Sequence, residues 1–175
     1  MIRPIAALMM AGLVGACFQP LYGERTAGGG PSIRDALAAV DVAQIDAPKG
    51  TPLSRIAVET RNELVFDLTG GSGQAPTHRL TIRLVPTKNT IILDPITLRT
   101  EFDYFGLDAN YTMIELASGR TVVTGQATTR VTYNVPGQAQ RFARERGLRD
   151  AETRAAKVIA EQIRSRLASY FVAGT

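Results

Sequence analysis

The sequence is poor in the residues that most often carry chemistry, with one cysteine, Cys17, and one histidine, His78, among 175 residues. A single cysteine cannot form an internal disulfide, and the sequence has no paired residues at the spacing of metal ligands. The glycine run 28–30 precedes no Lys-Ser/Thr pair, and the run 70–73 follows a predicted helix, so neither is a phosphate-binding loop. We therefore expect a protein that is not an enzyme and that uses no metal and no cofactor.

Long hydrophobic runs and blocks of like charge are also missing. With 45% hydrophobic and 21% charged residues, the composition is that of a single globular domain. The apolar stretch Ile5–Val14 has about half of the roughly 20 residues that a membrane-spanning helix needs. Because it follows a short basic start with Arg3, it has the pattern of a signal peptide. We predict a lipoprotein signal peptide over residues 1–16.

The position of Cys17 indicates what the cysteine does. Val14-Gly15-Ala16-Cys17 resembles the bacterial lipobox, in which small residues precede a cysteine that is acylated and becomes the new N-terminus. We predict that Cys17 is lipidated, and several acyl chains form a permanent anchor because each buried CH₂ contributes about 0.8 kcal/mol. Phe18 stands where an aspartate would resemble an inner-membrane retention signal, so we expect the outer membrane. Residues 17–32 are predicted to be a glycine-rich tether, and residues 33–175 a single domain.

The first half of this domain predicts a helix and a strand. Thr51 offers an N-cap and Pro52 a first helical position, and apolar residues recur at helical spacing, so we predict a helix over 52–68. Residues 78–93 alternate with a period of two and predict a strand with a bend near Pro86. Between residues 33 and 45 a short strand within 40–45 and a helical turn within 33–40 both remain open.

The second half predicts a hairpin. Residues 98–116 alternate in two phases, which predicts a strand with a bulge at 104–106. The turn Ala117–Arg120 has Gly119 to supply a positive φ. The strand that follows has an apolar face and a threonine-rich polar face, which is either simply solvated or a contact surface for a partner or a polar lipid headgroup. The apolar face consists of Val123, Gly125, Ala127, Val131, Tyr133 and Val135, and the polar face of Thr124, Gln126, Thr128, Arg130, Thr132 and Asn134.

The chain ends in a predicted helix from Phe142 or Leu148 to Phe171. The segment Arg141–Arg166 has eight basic and four acidic residues, a surplus of four that equals the formal net charge of +4 for the whole chain. This surplus is suited to anionic lipid, phosphate-bearing sugars or an acidic protein, although a charged helix face is often only solvated. The predicted buried stripe contains Ala155, Val158, Ile159, Ile163, Leu167, Tyr170 and Phe171, and the predicted outward side Arg149, Glu152, Arg154, Lys157, Glu161, Arg164 and Arg166.

Four segments, taken in order, resemble the LPS-assembly lipoprotein family LptE, in its alphaproteobacterial branch. They are "CFQPLYG", "PLSRIAVETRNEL", "LASGRTVVTGQATTRVTYNV" and "ERGLRDAETRAAKVIAEQIRSRLASYF". Phe18 departs from the glycine that commonly follows the cysteine in this family. The resemblance implies an α/β two-layer sandwich with two helices packed on one face of a roughly four-stranded, mixed, mostly antiparallel sheet.

The resemblance also implies a role. A lipoprotein of this family sits in the lumen of the outer-membrane β-barrel LptD, plugs it, assists its assembly and takes part in lipopolysaccharide transport to the cell surface. We hypothesise that basic side chains meet lipopolysaccharide phosphates through charge-assisted hydrogen bonds. The candidates are Arg130, Arg154, Lys157 and Arg164. The expected partners are LptD, lipopolysaccharide and the membrane that holds the lipid anchor, and nucleic acid is not expected.

Two other interpretations remain open at this point. An auxiliary lipoprotein of an ABC-type lipid transport system also has a lipobox followed by a small α/β domain, but its partner is an inner-membrane transporter. A periplasmic hydrolase has no nucleophile-base pair in this sequence and would depend on His78.

Overall fold

The computed structural model describes residues 32–70, 74–91, 102–134 and 141–174. The predicted signal peptide, Cys17, nearly all of the tether and Val135 lie outside the described residues. Three helices and four strands are described along these ranges. They are α1 (Ile33–Ala38), β1 (Val40–Val42), α2 (Pro52–Thr69), β2 (His78–Ile91), β3 (Phe102–Glu115), β4 (Thr121–Asn134) and α3 (Arg141–Ala173).

The four strands form one sheet in the order β1-β2-β3-β4. Strand β1 pairs with β2 in parallel, and the other two pairings are antiparallel. The long helices α2 and α3 pack on the apolar face of this sheet, and the short α1 contacts both of them. The predicted mixed α/β sandwich is therefore confirmed, with α1 as a third and smaller helix.

The segment between residues 33 and 45 contains both of the structures that its sequence left open. Ser32 caps α1, because its hydroxyl oxygen accepts a hydrogen bond from the Asp35 backbone N–H at 3.1 Å. The chain then enters β1, whose residues Val40–Val42 pair with His78–Leu80. The helical turn and the strand are thus consecutive and not alternatives.

Helix α2 begins and ends as its sequence predicts. The Thr51 hydroxyl accepts a hydrogen bond from the Ser54 backbone N–H at 3.3 Å, and Pro52 occupies the first helical position. Gly70 ends the helix with φ 56°, a left-handed conformation that glycine adopts without strain. The Arg61 side chain donates from Nε to the Val42 carbonyl at 3.0 Å and fastens α2 to β1.

Strand β2 continues through Pro86, which is paired with Leu107. The short β1 pairs only with His78–Leu80, so Pro86 lies where β2 forms an edge of the described sheet. Proline is tolerated at such an edge because its missing N–H breaks no ladder between two strands.

The predicted bulge at residues 104–106 is wrong. The pairing of β3 with β4 is continuous from Phe102 to Met113, and the irregularity lies between Met113 and Ile114. The apparent change of phase arises because Phe102 and Tyr104 are aromatic residues on the uncovered face of an unbroken strand. The side chains on the helix-facing side are buried, namely Asp103, Phe105, Leu107, Ala109, Tyr111 and Met113.

Strand β4 has the two faces that its alternation predicts, and Gly119 has φ 69° in the preceding turn. Gly125 allows a close cross-strand contact, because a Cβ atom there would lie 2.5 Å from the Tyr111 hydroxyl oxygen. The helix-facing side chains Val123, Ala127, Val131 and Tyr133 are buried.

Helix α3 supplies much of the core through small and branched side chains. The predicted stripe is buried at Ala155, Ile159, Ile163 and Leu167, whereas Val158 is half-buried. Glu152, which the sequence placed on the outward side, is 1% exposed, so that expectation is wrong. It is buried because α2 covers this side of α3 and supplies Arg55 as its ion-pair partner.

Candidate functional site

The side of the sheet that the helices leave uncovered is a mostly polar surface. On β4 every polar-face residue predicted from the sequence is exposed, including Thr124, Thr128 and Thr132. Strand β2 adds the exposed Arg79, Thr81 and Arg83, and β3 adds the exposed Asn110. This uncovered sheet face therefore offers hydroxyl, amide and guanidinium groups for contact with a polar partner.

Ion pairs neutralise part of this uncovered sheet face. Arg79 donates from Nε to the Asp41 carboxylate at 3.0 Å. Arg130 lies 3.9 Å from Asp108 on the neighbouring strand, and the Arg130 side chain is 56% exposed. At that separation the Arg130 guanidinium is loosely held and is accessible to an external anion.

Helix α3 covers the outer edge of β4 with polar side chains. Gln162 accepts a hydrogen bond from the Thr128 backbone N–H at 3.2 Å and donates from Nε2 to the Thr128 carbonyl at 3.1 Å. Arg154 donates from Nη2 to the Thr132 carbonyl at 3.2 Å and from Nε to Asp150 at 2.8 Å. These side chains bond to the backbone N–H and carbonyl groups with which an additional strand would pair.

The basic residues in the middle of α3 face acidic residues on α2. Lys157 lies 3.7 Å from Glu63. Burial raises the pKa of Asp67, and the positive charge of Arg164 acts in the opposite direction on that pKa, which places Arg164 close to Asp67. Together with the Arg55–Glu152 ion pair, these contacts run in the same order along both helices, so α2 and α3 are parallel.

The four basic residues proposed as lipopolysaccharide contacts are therefore not one cluster. Arg130 lies on the uncovered sheet face, Arg154 at the β4 edge, and Lys157 and Arg164 beside α2. Strand alternation for Arg130 and helix periodicity for the other three gave only their outward direction, and neither indicates which neighbouring element a side chain meets. The acidic residues of α2 were the sequence signal that could have indicated their neutralisation.

A buried carboxylate holds the start of α3 against the sheet. Asp103 is 4% exposed, and its Oδ2 accepts hydrogen bonds from Arg144 Nη2 at 3.0 Å and from the Tyr133 hydroxyl at 3.3 Å. Burial raises the pKa of Tyr133, and the Asp103 charge raises it further. Local sequence patterns do not indicate this contact, since Asp103 and its partner Arg144 are 41 residues apart.

His78 has the environment of a packing residue. Its ring meets Phe171 edge-on with centroids 5.3 Å apart, and its Nδ1 lies 2.8 Å from the Thr77 hydroxyl oxygen. Burial lowers the pKa of His78, and the charge of Glu115 opposes this shift. No group of three potential metal ligands occurs among the described residues.

None of the helices in the described ranges combines the length and the apolar character needed to cross a bilayer.

Comparison with known proteins gives matches at the level of structure. Neither the family models nor the curated proteins contain a match. Among solved structures, a candidate lipoprotein from Caulobacter crescentus is similar with a TM-score of 0.62 and 17% identity, over 82% of this chain and 97% of that one.

Two further solved structures have the same arrangement. A minor lipoprotein from Acinetobacter baumannii matches with a TM-score of 0.52 and 12% identity, over 77% of this chain and 94% of its own. Lipoprotein B from Nitrosomonas europaea matches with a TM-score of 0.52 and 15% identity, over 78% and 90%. The described domain thus has a fold that occurs in small bacterial lipoproteins.

Proposed function

We propose that this protein is an outer-membrane lipoprotein of the LptE type, anchored through acylated Cys17, which plugs the LptD β-barrel and takes part in lipopolysaccharide transport. The observation that carries the proposal is the uncovered sheet face, whose exposed side chains are mostly polar, with Val85 and Phe102 as exposed apolar ones. A body enclosed in the polar lumen of a large barrel needs such a surface, because an apolar patch would have no partner there.

The lipobox at Cys17 and the fold of the solved lipoproteins support the coarser part of this proposal. The family resemblance in the sequence supports the finer part. The lipobox and the fold are independent observations, since the lipobox precedes residue 32, where the described residues begin.

For lipopolysaccharide we propose Arg130 as the principal contact among the four candidates. Its guanidinium is 56% exposed on the uncovered sheet face and is only loosely paired with Asp108. Arg154 and Lys157 already bond to the β4 edge and to Glu63, so their loss would act on the domain's own packing.

The test is affinity purification of the tagged full-length protein from detergent-solubilised envelopes of its own organism, with mass spectrometry of the associated proteins. We expect stoichiometric recovery of a large outer-membrane β-barrel. The double variant T124W/T132W should lower that recovery at least tenfold, about 1.4 kcal/mol, because two indole rings obstruct the contact face. The matched variant T124S/T132S keeps the hydroxyls and should recover the barrel normally.

Lipopolysaccharide retained in the same preparations tests the role of Arg130. We expect less of it with R130Q than with wild type at equal barrel recovery. Unchanged retention would contradict this role of Arg130. Recovery of an inner-membrane transporter in place of the barrel would overturn the proposal and move the protein to the auxiliary lipoproteins of ABC-type lipid transport.

A further inference from the structure

The two edges of the described sheet are protected to different degrees. On β4, side chains of α3 bond to the backbone at Thr128 and Thr132. On β2, the short β1 pairs only with His78–Leu80. The last backbone hydrogen bond between described residues on that side runs from the Ala43 N–H to the Leu80 carbonyl at 2.9 Å. Beyond Leu80, β2 therefore forms an edge to which no described backbone group bonds.

The backbone groups of Ile82 and Leu84 point towards this edge. Backbone N–H and C=O groups alternate between the two sides of a strand, so those of Ile82 and Leu84 share the side of the Leu80 carbonyl. The other side of β2 is occupied by β3, which pairs with it continuously over residues 78–91. An additional strand can therefore pair with β2 at Ile82 and Leu84.

Only the far part of this edge has residues that prevent pairing. Pro86 has no N–H to donate, and the exposed Lys88 adds a charge. Proline and lysine are the residues with which proteins commonly protect sheet edges. Between Pro86 and the end of β1 the only charged residue is Arg83. We call residues 82–85 the open edge, and a strand that binds there must be compatible with the charge of Arg83.

Strand β1 shows which side chains are suited to a strand at the edge of β2. Its sequence is Val-Asp-Val, and the two valines, Val40 and Val42, are buried. Asp41 between them lies opposite Arg79, and Arg79 donates from Nε to the Asp41 carboxylate at 3.0 Å. An acidic residue between two apolar residues thus extends the core and also pairs with the arginine of β2.

The open edge repeats the pattern of β2 that β1 covers. Arg83 follows Arg79 by four residues on the same exposed face, and it stands between the buried Ile82 and Leu84. Unlike Arg79, Arg83 forms no ion pair with any described residue. Strand β2 contains no acidic residue, so the β2 strand of a second copy would offer Arg83 no carboxylate. The missing partner of Arg83 is therefore expected on a different strand.

We propose that the open edge binds an extended segment of a partner protein in which an acidic residue stands between two apolar residues. The segment adds to β2 as a further strand, with its backbone paired at Ile82 and Leu84 and its carboxylate beside Arg83. The main-chain hydrogen bonds provide affinity, and the charge pair selects the segment. The inference goes beyond the proposed function, because it concerns the segment that is bound and not the assembly that the protein enters.

The experiment measures binding of a synthetic peptide to the acylated full-length protein in detergent micelles. The peptide Ser-Thr-Val-Asp-Val-Thr-Ser is labelled with a dye, and its symmetric sequence offers the same side chains to a parallel and to an antiparallel pairing. We expect the fluorescence anisotropy to rise and to saturate below about 1 mM peptide-binding protein, the range of weak specific complexes. Absence of saturation in this range would overturn the proposal.

Reversal of the charges tests the role of Arg83. R83D should weaken binding of the peptide at least tenfold, and a peptide with lysine in place of aspartate should bind R83D better than it binds the wild type. The matched control R146D reverses an exposed arginine of α3 and should bind the original peptide as the wild type does. Circular dichroism of both variants checks that the fold is retained. Equal binding of both peptides to R83D would contradict the charge pair.

Methylation of the peptide backbone tests the added strand. Only alternate amides of a strand point to its neighbour, so N-methylation of one alternating set should abolish binding, whereas N-methylation of the other set should leave most of it. Equal losses with both sets would mean that side chains alone bind the peptide, and they would overturn the proposal.

Other occupants of the open edge are recognised in the same assay. Binding that occurs only after residues 18–31 are replaced by a Gly-Ser tether would assign the edge to a segment of this chain. A dimer of the wild type that the peptide dissociates, measured by sedimentation, would assign the edge to a second copy. Either result would overturn the proposal of a partner segment.

Discussion

At the scale of single residues, Gly125 shows how one missing side chain determines a core contact. Strand propensity disfavours glycine, and its alternation with Val123 and Ala127 indicated only that it faces the helices. The structure adds the reason, which is that the Tyr111 ring from the paired strand occupies the space where a Cβ atom would be. Tyr111 is itself 4% exposed and cannot move into water.

We predict that G125A lowers the free energy of unfolding by about 1–3 kcal/mol, because the added methyl group overpacks the site. In a Y111L background the same substitution should be clearly less harmful, since a leucine side chain leaves the space open. Urea unfolding of the four proteins of this double-mutant cycle measures the coupling. Equal losses in both backgrounds would show that Tyr111 is not the obstacle.

His78 is a second residue whose role is decided by its neighbours. Because burial lowers its pKa in the folded state, the folded protein binds fewer protons than the unfolded chain at acidic pH. The stabilisation from neutral His78 is therefore complete above about pH 6.5, the value for an unperturbed histidine, and is lost as the pH falls.

We predict that the melting temperature of the wild type falls more than that of H78F between pH 7.5 and pH 5.0. Phenylalanine keeps the edge-on contact with Phe171 but does not titrate. Thermal unfolding followed by circular dichroism at both pH values gives the comparison. The same pH response in both proteins would mean that other groups account for it.

At the scale of elements, two ion pairs between α2 and α3 differ in how deeply their carboxylates are buried. The Glu152 side chain is 1% exposed, whereas its partner Arg55 is 45% exposed. In the pair Lys157–Glu63 both side chains are more accessible, at 58% and 33%. Loss of Arg55 leaves a carboxylate buried without compensation, whereas loss of Lys157 leaves one that water can reach.

We predict that R55M lowers the free energy of unfolding by about 3 kcal/mol at neutral pH, and that R55M/E152M regains most of this loss. The control K157M should cost less than about 1 kcal/mol, as exposed pairs do. Chemical denaturation of the three variants and the wild type measures these differences. A double variant no more stable than R55M would contradict the explanation by an uncompensated charge.

The interface also shows where sequence patterns mislead about an element. Helix periodicity predicts that Glu152 points outward, because the pattern of one helix contains no information about a second helix packed against it. The change of phase along 98–116 predicts a bulge only if Phe102 and Tyr104 face the core as Phe105 does. In the structure Phe102 is partly exposed and the helix-facing side of β3 contains the buried Asp103. Both predictions fail because a charged residue can be buried when another element supplies its partner. Glu152 pairs with Arg55 of α2, and Asp103 pairs with Arg144 of α3.

At the scale of the whole molecule, the arrangement separates three surfaces. The uncovered sheet face is polar, the β4 edge is blocked by Gln162 and Arg154, and the start of α3 is basic and aromatic. The sequence predicted the polar face of β4 and the basic surplus of the last helix. It did not indicate that Arg144, Arg154 and Lys157 have acidic partners, whereas Arg141, Arg146 and Arg149 have none among the described residues.

The sequence by itself determined the helix over 52–68, the turn at Gly119 and the two faces of β4, because these depend on local periodicity and on capping or turn residues, whereas the α/β class was implied by the family resemblance. Only the tertiary structure decided which charges are compensated and which are free. Arg144 meets Asp103, and Lys157 meets Glu63, across elements far apart in the chain. The packing of the helices on the sheet brings such partners together. Local sequence patterns do not indicate which residues far apart in the chain lie close together in the fold.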